Sequence, residues 1–230
     1  MSYLVHNAGA VSGLLLTHVK LVAVSPALAV TIAAPLGTLL ARYRRLRLPV
    51  LGLHGVIYTI PSLALMILLL PAFGLGGGAV LVALVLYAQI ILVRNIVAGL
   101  QSVDPTLLEA SRGMGMNAWQ RWARVELPLA LPVVLAGVRV AALASIAIAS
   151  IGTLFGAGGL GTLLFDGVTE TRYDKIIAGV IVLAALALVV NWGLVALERR
   201  VSVAGKTARA ARRNRAARAH RLGDSPPPMP

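Results

Sequence analysis

The sequence has no cysteine, which excludes disulfides, iron–sulfur clusters and thiolate metal sites. Acids are scarce. The only ones are Asp104, Glu109, Glu126, Asp166, Glu170, Asp174, Glu198 and Asp224, and none falls deep inside an apolar run. A pump driven by protons or sodium places ionisable groups within the membrane, so their absence points to energy supplied from elsewhere. His6, His18, His54 and His220 are scattered, with no pair at i, i+4 and no clustered carboxylates. No metal, cofactor or catalytic constellation is expected. No G-x-x-x-x-G-K-[ST] loop is present either, so the chain lacks that means of cradling ATP.

Apolar residues dominate what remains. The chain is 58% hydrophobic and 13% charged over 230 residues. Five runs approach the roughly 20 apolar residues that cross a bilayer: 21–41, 50–73, 79–97, 129–151 and 176–197. They are continuous rather than alternating, which predicts helices and not a barrel. The expectation is an all-α transmembrane protein with one membrane domain over 21–200. Residues 1–20 lack a basic n-region and a small-residue cleavage site, so they read as a retained extracytoplasmic lead-in and not a signal peptide. Residues 201–230 are rich in Ala and Arg and end in SPPPMP, the composition of a disordered tail. Such a tail touches anionic lipid more readily than nucleic acid, because it has no interleaved aromatics.

The net charge of +13 sorts by loop. Arg42, Arg44, Arg45 and Arg47 fall in the first connection, and Arg94, Arg112, Arg121 and Arg124 are assigned to the long third one. The tail carries Arg199, Arg200, Lys206, Arg209, Arg212, Arg213, Arg215, Arg218 and Arg221. Lys20, Arg172 and Lys175 are left for the opposite side, and Arg139 for a span. The positive-inside rule then places the N-terminus outside and the C-terminus in the cytoplasm. Trp119, Trp122 and Trp192 fall near the inner interface, where amphipathic rings collect.

GAGGLG at 156–161 satisfies G-x-G-x-x-G literally. It follows a membrane helix rather than a strand and has no acid about 20 residues on, so it is no dinucleotide site. Its glycines suit a tight re-entrant turn or close helix approach. In the second span, Pro61 removes one backbone hydrogen bond, frees the carbonyl of Ile57 and predicts a kink near Thr59 and Ser62. Tyr58, Tyr87, Gln89 and Ser145 add polar groups to the spans and are, with Thr59, Pro61 and Ser62, candidates for a substrate path. Each serves equally well as a helix-packing residue. Arg139 lies seven residues past Pro132, about 10 Å along a helix. It snorkels to the inner interface or meets a substrate carboxylate.

Between the third and fourth runs lies a polar island, EASRGMGMNAWQRWARVELP, at 109–128 within the connection 98–128. Asp104 is suited to cap a helix that starts at Pro105. Gly113 and Gly115 interrupt that helix. Asn117 and Gln120 have the spacing of a capping box for a second helix, which is expected to stop before Pro128. The spacing also resembles the EAA loop of binding-protein-dependent ABC importer permeases: Glu109, Ala110 and Ser111, then Gly115, then Val125, Leu127 and Pro128. Ser111 stands where the pattern has its second Ala, and Val125 where it has Ile.

That resemblance implies a five-helix permease core of the type I ABC importer kind in a bacterial plasma membrane. The hairpin would then be the coupling helix, with Glu109 and Ala110 at the contact with a separate ATPase subunit and Gly115 permitting the bend. TIPSLAL, VRNIVAGLQSVDP, LPLALPVVLAGVRVA and IGTLFGAGGLG resemble the osmoprotectant branch of the family, which imports glycine betaine, carnitine, choline and related quaternary amines. The implied partners are ATP-binding cassette subunits, a second permease copy or paralogue, and an extracytoplasmic substrate-binding protein. Aromatics make up only 5% of the chain, too few for an aromatic cage, so high-affinity capture falls to the binding protein. The competing readings are an importer of another small solute, such as an amino acid, and a polytopic scaffold or enzyme.

Overall fold

The computed structural model describes residues 2–201. The tail expected to be disordered lies outside the described residues, apart from its first residue, Val201. Ten α-helices follow one another: α1 (Ser2–His6), α2 (Ala8–Arg42), α3 (Arg44–Thr59), α4 (Ser62–Phe73), α5 (Gly77–Gln101), α6 (Pro105–Gly113), α7 (Ala118–Arg121), α8 (Leu127–Gly152), α9 (Gly161–Thr169) and α10 (Tyr173–Val201). No strand occurs among the described residues. Four helical stretches are long and apolar enough to cross a membrane, and a fifth exists if α3 and α4 form one bent span.

The centre is α5. Two-thirds of its most apolar window is buried, and α2 and α8 pack along it with small residues at the contacts. A Cβ at Gly137 of α8 would come within 2.5 Å of Asn95 Cβ, and one at Gly152 within 2.5 Å of Val80 Cγ1. A Cβ at Gly99 of α5 would lie 2.9 Å from the Ala130 carbonyl oxygen. Hydrophobic exclusion does not drive helices together in lipid, so this close approach of backbones is what holds the bundle. Outward faces stay apolar and exposed, as at Leu188, Val189 and Ile181 of α10.

Helix α2 begins at Ala8 and runs into the first apolar run without a break. It therefore takes in most of the expected lead-in, including His18, which is fully buried. The histidine ties three segments together. Its Nε2 lies 3.2 Å from the Ile146 carbonyl oxygen of α8, and its Nδ1 accepts the Leu160 backbone N–H at 3.3 Å. That pattern fixes the neutral tautomer with the proton on Nε2. Leu160 belongs to the GAGGLG turn, which follows a 3₁₀ turn at Thr153–Phe155 and opens α9. Gly159 sits there at φ +91°, with no room for a Cβ against the His18 ring.

The second span differs from expectation. Pro61 does not merely kink a helix: α3 and α4 are separate helices that meet at 98°. The Ile57 carbonyl is not freed, since it accepts the Ile60 N–H at 3.2 Å. The carbonyl left over is that of Ile60, and the Tyr87 hydroxyl of α5 donates to it. A long-range tyrosine thus satisfies the backbone group that a helix break exposes.

Candidate functional site

The hairpin at 104–128 is built from local chemistry. Asp104 caps α6 by accepting the Thr106 N–H at 2.9 Å and the Thr106 hydroxyl at 2.8 Å. These bonds hold its carboxyl below the usual carboxylate range. Pro105 fills the first helical position, where a missing N–H is harmless. The chain turns at Gly115, whose φ of +76° is one that L side chains rarely adopt. Asn117 and Gln120 then form a reciprocal capping box, at 2.8 and 3.0 Å.

The second helix does not stop before Pro128. Helix α7 passes through a π-helical turn at Trp122–Glu126 straight into α8. The Leu127 N–H bonds to the Trp122 carbonyl, five residues back, so the ladder has slipped by one residue just before the proline. That slip lets Pro128, which has no N–H, enter the helix near its new start.

Within the hairpin Glu109 and Ala110 are exposed. Ser111 is buried, its hydroxyl donating to the Leu108 carbonyl at 2.7 Å, so it is an internal packing residue. Val125, Leu127 and Pro128 are half-buried where the hairpin joins α8. Leu107, Met114 and Trp119 add exposed apolar surface. Trp119 stacks on Trp122 with ring centroids 5.1 Å apart, and Arg121 pairs with Glu126 at 3.2 Å. A rigid helix-turn-helix with an apolar tip and an outward carboxylate can dock on another protein.

Of the substrate-path candidates, the structure gathers Tyr58, Thr59, Pro61 and Tyr87 at the break between α3 and α4, and Ser62 opens α4 beside them. Tyr58 meets Tyr87 edge-to-face, 5.6 Å between centroids. The Thr59 hydroxyl donates to its own helix, at the Val56 carbonyl, 2.7 Å. Three candidates sit elsewhere. Gln89 donates to the Ala29 carbonyl of α2 at 3.0 Å. Ser145 is buried and bonds the Ala141 carbonyl of its own helix. Arg139 pairs with Glu198 of α10 at 3.9 Å.

Two residues gain roles that sequence reasoning missed. His18 falls within the expected lead-in and is the buried tie described above. Arg94 is expected in the third connection but lies inside α5, seven residues before its end at Gln101. Its position within the apolar run 79–97 was the available signal.

Comparison with known proteins agrees with the fold. Residues 33–203 match the family described as binding-protein-dependent transport system inner membrane component. The osmoprotectant import permease protein OsmW of Salmonella typhimurium is 41% identical over 195 residues, covering 83% of this chain and 91% of its own. The carnitine transport permease protein OpuCB of Listeria monocytogenes is 39% identical, covering 76% and 80%. The glycine betaine/carnitine/choline transport system permease protein OpuCB of Bacillus subtilis is 32% identical, covering 89% and 94%. Among solved structures, an inward-facing MetNI methionine ABC transporter superposes with a TM-score of 0.75 at 22% identity, over 81% of this chain and 94% of that one. That likeness speaks to fold alone. The chain is therefore a multi-pass bacterial plasma-membrane protein, and it belongs to the family of inner-membrane permease components of binding-protein-dependent ABC transporters.

Proposed function

We propose that this chain is the translocation subunit of an ATP-driven importer for osmoprotectants of the glycine betaine, carnitine and choline class. The observation that carries this reading is relatedness at 41% identity along most of the chain to a permease named for osmoprotectant import. The hairpin at 104–128 supports the coupling role. It is an apolar-tipped docking element on a chain with no phosphate-binding loop of its own. In this reading Glu109 and Ala110 touch an ATPase subunit, Gly115 sets the turn, and α7 with its π turn passes movement into α8. A second permease copy or paralogue completes the pathway, and an extracytoplasmic binding protein delivers the solute. The chain crosses the membrane five times, α3 and α4 together making one crossing, with its N-terminus outside and C-terminus in the cytoplasm.

Uptake by the reconstituted transporter tests this directly. Labelled glycine betaine, choline or carnitine should accumulate only with ATP and the binding protein present. Unlabelled quaternary amines should compete and methionine should not. Competition by methionine alone would leave an importer but overturn the osmoprotectant assignment. Glu109→Lys or Gly115→Val should insert normally yet weaken ATPase association, and normal transport in both would remove the coupling role. The chain is free of cysteine, so Thr169→Cys should react with an impermeant thiol reagent from outside and Ser202→Cys only after permeabilisation. The reverse pattern would overturn the topology.

A further inference from the structure

A groove of about 620 Å³ runs along α3 and α5, lined by Gly52, Gly55, Val56, Tyr58, Thr59 and Arg94 together with Ile90 and Ile91. Its volume lies in the range of small-molecule sites. It begins at the helix break and follows α5 toward the end that leads into the hairpin. One wall is glycine: a Cβ at Gly52 would meet nothing within 4 Å, and one at Gly55 would meet only the Arg94 guanidinium, at 3.9 Å. The polar inventory is short and of one sign. Among the described residues it holds the Tyr58 and Thr59 hydroxyls, the Arg94 guanidinium, and no carboxylate.

Arg94 is exposed to this groove and is the unusual residue in it. Among the described residues no acid lies within ion-pairing distance and no hydrogen bond is made by its side chain. The other arginine inside a long apolar helix, Arg139, has Glu198. A guanidinium within a membrane helix is costly unless something compensates it. Its planar fork matches a carboxylate in bidentate fashion. In the same groove, three residues past Gly55 on α3, stands the Tyr58 ring, packed edge-to-face on Tyr87 and able to receive a quaternary ammonium on its face.

We propose that this groove is the permease's own substrate site and that it selects carboxylate-bearing zwitterions. The carboxylate sits on Arg94, and the methylated ammonium lies against Tyr58 over the glycine wall. This rests on the osmoprotectant reading and sharpens it: glycine betaine and carnitine are passengers, and choline is disfavoured. Choline brings a positive charge with no carboxylate to set between itself and Arg94, and like charges repel strongly where water is scarce. A single tyrosine pair gives weak binding, which suits a passage that must release what it takes.

The experiment uses the complete transporter in proteoliposomes, with initial rates measured for glycine betaine and choline. Wild type should favour betaine. Arg94→Gln should lower the betaine-to-choline ratio at least tenfold, and Arg94→Lys should restore part of it. An unchanged ratio in Arg94→Gln, or equal loss of both substrates, overturns the proposal. A second measurement does not require altering Arg94. Thr59→Cys in this cysteine-free chain should be protected from a thiol reagent by millimolar glycine betaine, and less by choline; equal protection or none overturns it. If wild type carries choline and not betaine, the groove assignment fails while the osmoprotectant reading stands. If it carries neither, both fail.

Discussion

The packed seam of α2, α5 and α8 and the bent pair α3–α4 use glycine in opposite ways. In the seam, Gly99, Gly137 and Gly152 let backbones touch, and each Cβ position is already occupied by a neighbour. In α3, Gly52 and Gly55 leave space empty, and no residue of that helix is buried. The same residue type serves cohesion in one place and vacancy in the other. What separates them is the facing element: α8 presses on α5, whereas α3 presents an open groove. Stability is therefore concentrated in the seam, and the freedom to bind or move in the bent pair.

The sharpest test puts one bulky residue into each region. Gly137→Leu should destabilise the protein by about 3 kcal/mol or more, since overpacking a tight contact forces backbone shifts. Gly52→Leu should leave the melting temperature of the detergent-purified protein nearly unchanged while lowering uptake. Similar melting of the two variants would erase the distinction. A smaller effect is expected from His18→Phe, which strands the buried Leu160 N–H. That should destabilise by about 2 kcal/mol; the Ile146 carbonyl keeps the Ser150 hydroxyl as a partner. Loss of protection at the Leu160 amide in hydrogen exchange would locate the damage. The smallest is Tyr87→Phe, about 1 kcal/mol, because the Ile60 carbonyl sits at the edge of the bent pair. Its signature is faster exchange across 57–65 with the seam unaffected. Slower exchange there would mean the hydroxyl does not hold the break.

The sequence makes local devices plain and long-range ones obscure. The Asp104 cap, the Gly115 turn and the Asn117–Gln120 box depend on residues within three positions of one another, and all are built as their spacing predicts. The π turn escapes such reading because a rule that ends helices at proline assumes an i→i−4 ladder, and Trp122–Glu126 leaves that ladder before Pro128 arrives. The break at Pro61 is announced by the proline, but its 98° angle is not. The Ile60 carbonyl at that break is satisfied by Tyr87, 27 positions away, which local spacing does not reveal. The His18 tie spans more than a hundred positions to each partner, and no periodicity encodes it. Arg94 shows a different limit: a count of positive charge by loop places it outside the helix that its own neighbours define.

The unbroken helical path from Ala118 through the π turn to Gly152 is about 50 Å long. A rod of that length is a lever. A tilt of about 5° at the hairpin displaces the far end by about 4 Å, roughly half the spacing between packed helices. Near that far end α8 is held by the close Gly152–Val80 contact of the seam and by the His18 imidazole, 3.2 Å from the Ile146 carbonyl oxygen. A small rotation at one face of the protein, if carried rigidly along that length, would be large enough at the other face to make or break a contact between helices.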